Sequence, residues 1–443
     1  TTATAALPAS RAAPLLSYPV VEGTTLVLAD EKLIKYQLQV TTKQITQKSV
    51  TNSSDSCIAP PRLFGDILIV TRRKQGSVGA TVSALQVDNF RQPEWETQLG
   101  TPIGRVSPAG SQLDAITAAG ALFEIDAKVL QAKVSNEPAL TVTAASGSLS
   151  FTDPVEFAGG KVAFFNPSDN ERALIYTPEA GPGRLRIVQL KLSGAKVTCT
   201  PVAFQDGLLA PLDNGSVLLA NTTTGDNLVL PFQPKLGPGE DVKWQRPAVL
   251  GEAFVIVDDR KNIYRVEIKP DPKPFLAPIA SGKLELDITS DLAAVGDTVY
   301  GVVRNSGGDV IVALNAGDLK PAKEFALTGR VVWGPVQVGD AVLCLSSTEG
   351  LLCFEAGANQ RWANSVGCGG QPAGNPLQVA SDFLFALREG SVVRIAGAGG
   401  EQVTSVTIGE PLGAGPVAFG ARVLLPGSDG ALHVIRTPSA EGQ

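Results

Sequence analysis

The 443-residue sequence contains no methionine, a single histidine (His433), and aromatic residues at only 6% of its positions. One histidine leaves no second imidazole for a histidine-rich metal centre and few partners for a catalytic triad, so His433 reads as a strand residue satisfied locally. No run reaches 18 apolar residues, so no transmembrane helix is expected. Positive charge is not in excess: 37 Lys and Arg stand against 43 Asp and Glu, a net of −6, which argues against a nucleic-acid binder with its basic stripe. No stretch sustains a 3.6-residue apolar period, so almost no helix is expected.

What is abundant is glycine (46), proline (31) and apolar residues (44%), enough for a large core built from many short strands and turns. The clearest unit runs over residues 334–362, GPVQVGDAVLCLSSTEGLLCFEAGANQRW. It opens Pro-Val, turns at Gly339-Asp340, and then presents two apolar runs joined by Ser347-Thr348-Glu349-Gly350, which reads as a β-hairpin. The same opening, a Pro, apolar residues and then a Gly, recurs at Pro19, Pro60, Pro108, Pro154, Pro201, Pro247, Pro335, Pro376 and Pro416. A version without Pro lies near Leu292, and the spacing stays between 40 and 48 residues, the period of a propeller blade. Ten hairpins follow in phase. In the fourth, residues 162–165 connect at length to residues 185–192. Both runs of each hairpin are apolar at most positions, the pattern of strands buried on both faces.

The expected fold is therefore all-β: a single β-propeller of four-stranded antiparallel blades, with ten repeat units counted and eight to ten blades. A tandem of small β-sandwiches is the alternative. Residues 18–438 form the propeller in this reading. Residues 1–17, rich in Ala, Thr, Ser and Pro, are a linker or closing strand, and residues 439–443 are a polar tail. A chain that starts on Thr is expected to be a processed product or a piece of a longer one. The last unit supplies three strands, so part of residues 2–13 is expected to pair beside residues 432–436 as the fourth.

Several units carry a corner that resembles the pyrroloquinoline-quinone (PQQ) type propeller repeat: strand, Ala-x-Asp-like corner, Gly turn, Trp. Ala84 to Asp88 through Trp95 and Cys353 to Gly357 through Trp362 fit it; Ala313 to Gly317 through Phe325 fits with Phe for Trp. The likeness is to the non-enzymatic, BamB-like branch, whose members usually have eight blades and serve as envelope scaffolds. It implies a periplasmic or otherwise exported, cell-envelope location. Enzymes of the superfamily hold PQQ and calcium on acidic and amide side chains, some over two adjacent cysteines. The five cysteines here (Cys57, Cys199, Cys344, Cys353 and Cys368) include no adjacent pair and no Cys-x-x-Cys-His haem site, so no cofactor position carries over.

Individual candidates are modest. Arg72, Arg73 and Lys74 form the one notable basic cluster, read as a hairpin tip: a patch for an acidic partner or a solvated loop. Asp258 to Asn262 and Asp213-Asn214-Gly215 read as turns, the former lacking the Gly and distal Glu of a calcium loop. Gly397 to Gly400 is followed by no helix that could cradle a phosphate. Asn52, Asn214 and Asn221 open short sequons. If Ser347 faces Gly350, Cys344 lies directly opposite Cys353, within disulfide range; two small apolar residues packed between blades are the alternative. No catalytic, cofactor or metal set emerges. The expected function is a non-enzymatic scaffold for a protein or peptide partner. The alternative is a PQQ- or metal-dependent, dehydrogenase-like propeller using its central channel.

Overall fold

The computed structural model describes residues 19–438 except 30–31, 51–54, 75–79, 100–102, 110, 119, 127, 129–130, 133–138, 142–151, 167–168, 179, 237–239 and 365–366. Among these residues there are ten antiparallel sheets, matching the ten counted units, and no α-helix; two 3-10 turns, Ala158–Gly160 and Gly181–Gly183, are the helical content. The chain divides into two compact units, Thr1–Pro102 with Ser428–Ala431, and Ile103–Gly427 with Leu432–Gln443. The proposed terminal pairing of residues 2–13 and the segments 1–17 and 439–443 lie outside the described residues.

The first unit holds sheet 1 (20–50) and sheet 2 (55–99), packed through Val27, Ala29 and Leu33 against Leu68, Val70 and Leu85. The second unit holds eight: sheets 3 (103–141), 4 (152–189), 5 (202–221), 6 (248–283), 7 (293–326), 8 (331–364), 9 (377–407) and 10 (417–436). Each packs face to face on the next. Ile116 meets Phe164 between sheets 3 and 4, and Ile175 meets Leu208 between 4 and 5. Phe204 meets Phe254 between 5 and 6, and Val255 meets Val299 between 6 and 7. Tyr300 packs with Val342 between 7 and 8, Leu343 with Phe383 between 8 and 9, and Leu384 with Val423 between 9 and 10. The series returns to its start, because Val417 and Leu424 of sheet 10 share a core with Val106 and Leu113 of sheet 3. Eight sheets thus close into a ring.

This packing explains the sequence pattern. Along Ala341–Ser346, Val342 and Cys344 point to sheet 7, while Ala341, Leu343 and Leu345 point to sheet 9. A strand pressed from both sides needs apolar residues at consecutive positions. The recurring Pro lies in or just before an edge strand of every sheet but the seventh, where a missing N–H is tolerated. The turn that follows needs a left-handed residue. Gly23, Gly65, Gly160, Gly251, Gly296, Gly339 and Gly420 supply it with φ between 55° and 75°, and Gln205 and Ala380 take it at 49° and 54°.

One hairpin differs from expectation. Val162–Asn166 pairs with Asp169–Tyr176, and Leu185–Gln189 is the fourth strand of that sheet. The missed strand opens with polar Asp169, Asn170, Glu171 and Arg172, which mask its apolar end.

Candidate interaction surface

A propeller presents two rims and a perimeter, so the question is what its polar side chains do there. On one rim lie the turns joining the second and third strands. Four of them place a carboxylate on the backbone of the connector arriving from the previous sheet. Asp213 accepts from Lys196 N at 2.9 Å, Asp259 from Lys243 N at 3.2 Å, and Glu389 from Gln371 N at 3.2 Å. Glu349, in the Ser-Thr-Glu-Gly turn, accepts from Thr328 N and, at 2.6 Å each, from the Thr328 and Thr348 hydroxyls; the Ser346 hydroxyl is a further donor. Its burial disfavours the charge, but these donors outweigh that and hold the carboxyl down to about 2. In sheet 7 the buried Asp309 serves the outgoing connector, accepting from Val331 N at 2.8 Å and Arg330 Nη1 at 2.7 Å. Asp258 is also buried, accepting from Arg260 N and Asn262 N within its own turn.

The opposite rim carries ion pairs. Arg361 bridges Glu355 at 2.9 Å and Asp340 at 2.8 Å; Arg394 binds Asp382 at 2.8 Å and the Pro438 carbonyl at 2.8 Å. Between sheets 3 and 4, the buried Asp114 accepts from Tyr176 Oη at 2.9 Å and is paired with Arg184 Nε at 3.0 Å; Arg184 also pairs with Glu124. Burial pushes the Asp114 carboxyl up, with Tyr176 and Arg184 opposing, and burial raises the Tyr176 phenol. Lys161 donates to Thr222 at 3.1 Å over the Phe157 ring, and burial lowers its pKa. On the first strands, Arg105 and Glu156 pair at 2.8 Å. No cluster of three or more potential metal-ligating side chains occurs among the described residues.

The sequence candidates sort as follows. Arg72, Arg73 and Lys74 are not a loop tip. They end the strand Ile67–Lys74 and pair with Cys57, Ser56 and Asp55; Arg72 also faces Thr81 and donates to Ser83 at 2.8 Å. Arg72 is half-buried and Arg73 exposed, both in a strand ladder and not at a turn. The cysteine register is also corrected. Ser346 pairs with Gly350, so the loop holds three residues, and Cys344 faces Leu352 while Cys353 faces Leu343. A one-residue shift turns a side chain to the other face. Cys344 therefore lies between sheets 7 and 8, Cys353 between 8 and 9, and all five cysteines are free. Burial raises both thiols, Cys353 to about 12.

His433 lies opposite Leu425 in the last strand. The sequon residues Asn214 and Asn221 turn their side-chain oxygens back on Ser216 N and Thr223 N, closing their own turns; Asn52 lies outside the described residues. The glycine run has a packing role. Gly397 O accepts from Trp362 Nε1 at 2.9 Å, and a Cβ on Gly400, whose φ is 79°, would meet the Trp362 ring at 2.5 Å.

No family model and no curated protein match this sequence. Among solved structures, the computationally designed Ika8 protein matches over 76% of this chain and 97% of its own, with a TM-score of 0.51 and 9% identity. BamB from Moraxella catarrhalis matches over 74% of this chain and 92% of its own, TM-score 0.49, 14% identity. Hsv2 from Kluyveromyces lactis matches over 71% and 99%, TM-score 0.32, 11% identity. Identities this low speak to fold alone. The fold is a β-propeller.

Within this propeller the corner residues are unequal. Trp95 and Trp362 both stand opposite the first residue of their corner, Ala84 and Cys353, whereas the matching partner of Ala313 is Lys323. Phe325 pairs instead with Ile311, two residues further on, and packs on Phe354 at 4.9 Å. Sheets 5 and 10 stop at their third strand. In sheet 5, Asn227 and Phe232 bridge the outer side of Val217–Asn221, whereas the outer side of Leu432–Arg436 has no partner among the described residues. A groove of about 320 Å³ lies there, lined by Arg422, Val434, Ile435 and Arg436. Sequence reasoning passed over these arginines. Counting outward from a 427–430 turn pairs Arg422 with Ile435; the observed turn holds five residues, 427–431, and that register brings Arg422 opposite Arg436.

Proposed function

We propose that this propeller is a non-enzymatic scaffold that binds a protein or peptide partner through its ring surface. The observation that carries the reading is the commitment of its recurring rim side chains. Asp213, Asp259, Asp309, Glu349 and Glu389 hold connector amides, and Asp114, Asp340 and Asp382 hold arginines. Groups fixed in this way rigidify the rims and stiffen the surface a partner meets, which lowers the ordering cost of association. Corner residues that resemble the PQQ-type repeat at Trp95 and Trp362 support the same reading. They also support a cell-envelope location, although the disulfide that would have argued for an oxidising compartment is not formed.

Crosslinking the intact chain in cells of its native source, followed by mass spectrometry, should capture a saturable protein partner. Incubation with PQQ and calcium is the counter-test: stoichiometric uptake with dye reduction would overturn the scaffold reading in favour of an enzyme.

A further inference from the structure

We propose that the open edge of sheet 10, Leu432–Arg436, is the docking site for an extended segment of a partner protein that carries a carboxylate level with Arg422 and Arg436. This rests on the scaffold reading and names where and how the partner binds. Three observations converge on the edge. First, among the described residues Leu432–Arg436 pairs only with Arg422–Pro426, on one side, so along its outer side alternate residues present backbone N–H and C=O groups without a ladder partner among those residues. Second, the protection along the strand is slight: its sequence Leu-His-Val-Ile-Arg has no proline, its one charge is Arg436 at the end, and Val434 is 37% exposed. Third, Arg422 and Arg436 stand directly opposite each other, both exposed, and neither has an ion-pair partner among the described residues. Two like charges at opposed positions destabilise a sheet. A carboxylate set between them would reverse the sign of that term and gain charge-assisted hydrogen bonds.

The groove joins these features. Arg422, Val434 and Arg436 lie on the same face of sheet 10, because opposed residues share a face, and Ile435 contributes to the wall. An added strand would pair its backbone with the edge, place an apolar side chain against Val434, and place Asp or Glu two positions along at the arginines. This is strand addition, in which the main chain supplies affinity and alternate side chains supply selectivity. An acidic extended peptide fits; a basic one would meet both guanidinium groups.

The test uses the full chain and a fluorescein-labelled six-residue probe of alternating Val and Thr with one central Glu. Fluorescence polarisation should show saturable binding that is lost when alternate backbone amides of the probe are N-methylated. Replacing the probe's Glu with Lys, or the protein's arginines by R422S/R436S, should weaken binding at least about tenfold. V434K, at an exposed position, should abolish it with an unchanged melting temperature. Binding that tolerates N-methylation, or that survives both variants, would overturn the edge assignment. So would binding confined to a peptide of this chain's own residues 1–18, or concentration-dependent dimerisation that V434K removes. The crosslinking experiment separates the two levels. A partner captured equally by wild type and V434K removes the edge proposal and leaves the scaffold. No partner captured by wild type removes both.

Discussion

Asp309 offers the sharpest test of the idea that rim carboxylates hold the connectors. Its side chain is fully buried, and its two oxygens serve different donors: Oδ2 takes the buried Val331 N–H at 2.8 Å, and Oδ1 takes Arg330 Nη1 at 2.7 Å. Arg304 Nη1 lies 3.4 Å from Oδ2. In Asp309→Ala the Val331 amide loses its acceptor away from water, a loss of about 1–3 kcal/mol. The guanidinium groups of Arg330 and Arg304 are 43% and 52% exposed and regain water, so each pair adds only about 0–1 kcal/mol. The total is about 1–5 kcal/mol, a roughly five- to five-thousandfold rise in the local opening constant. Hydrogen–deuterium exchange of a peptide spanning residues 327–334 should report it directly. Asp309→Asn keeps an oxygen for Val331 N–H and loses only the charge, so it should retain most of the protection. Protection unchanged in the alanine variant would refute the reasoning. So would an asparagine variant as labile as alanine, because the charge and not the amide acceptor would then matter.

Other consequences follow from the same structure. The Glu349 carboxyl is held down to about 2 from an ordinary value of 4.5, so the stability it contributes is present above about pH 4.5 and is lost as pH falls through about 2. The melting-temperature difference between wild type and Glu349→Gln should therefore be constant near neutrality and vanish below about pH 2; a difference that persists there would sink the assignment. Gly400→Ala should destabilise by about 1–3 kcal/mol, since the added methyl meets the Trp362 ring in a left-handed backbone; a neutral effect in chemical denaturation would contradict that packing. Cys344 and Cys353 should be alkylated by iodoacetamide only on unfolding and appear as separate peptides without reduction, and a linked peptide would overturn the register. Arg72→Ser should cost about 1 kcal/mol through its lost bond to the buried Ser83, whereas a solvated tip would cost nothing measurable in a thermal melt.

The repeat was legible because local rules write it. A left-handed turn residue follows nine of the ten first strands, the turn after Ile103–Ala109 lying partly outside the described residues; glycine is its easiest occupant, so Gly23 through Gly420 mark the phase along the chain. Strands pressed from both sides must be apolar at consecutive positions, which made the hairpins visible, except where Asp169 to Arg172 hid one. Those features determined an all-β repeat and its count of ten sheets. Tertiary structure decided the rest. Whether Cys344 meets Cys353 depends on a loop of two or three residues, a difference that no composition records but that turns one thiol toward sheet 7 and the other toward sheet 9. Closure of eight sheets depends on Leu424 meeting Val106 across more than 300 residues of chain, and the juxtaposition of Arg422 and Arg436 depends on the register of one hairpin. Local propensity acts over a few residues, whereas register and closure are set by side chains that meet only after the sheets have stacked.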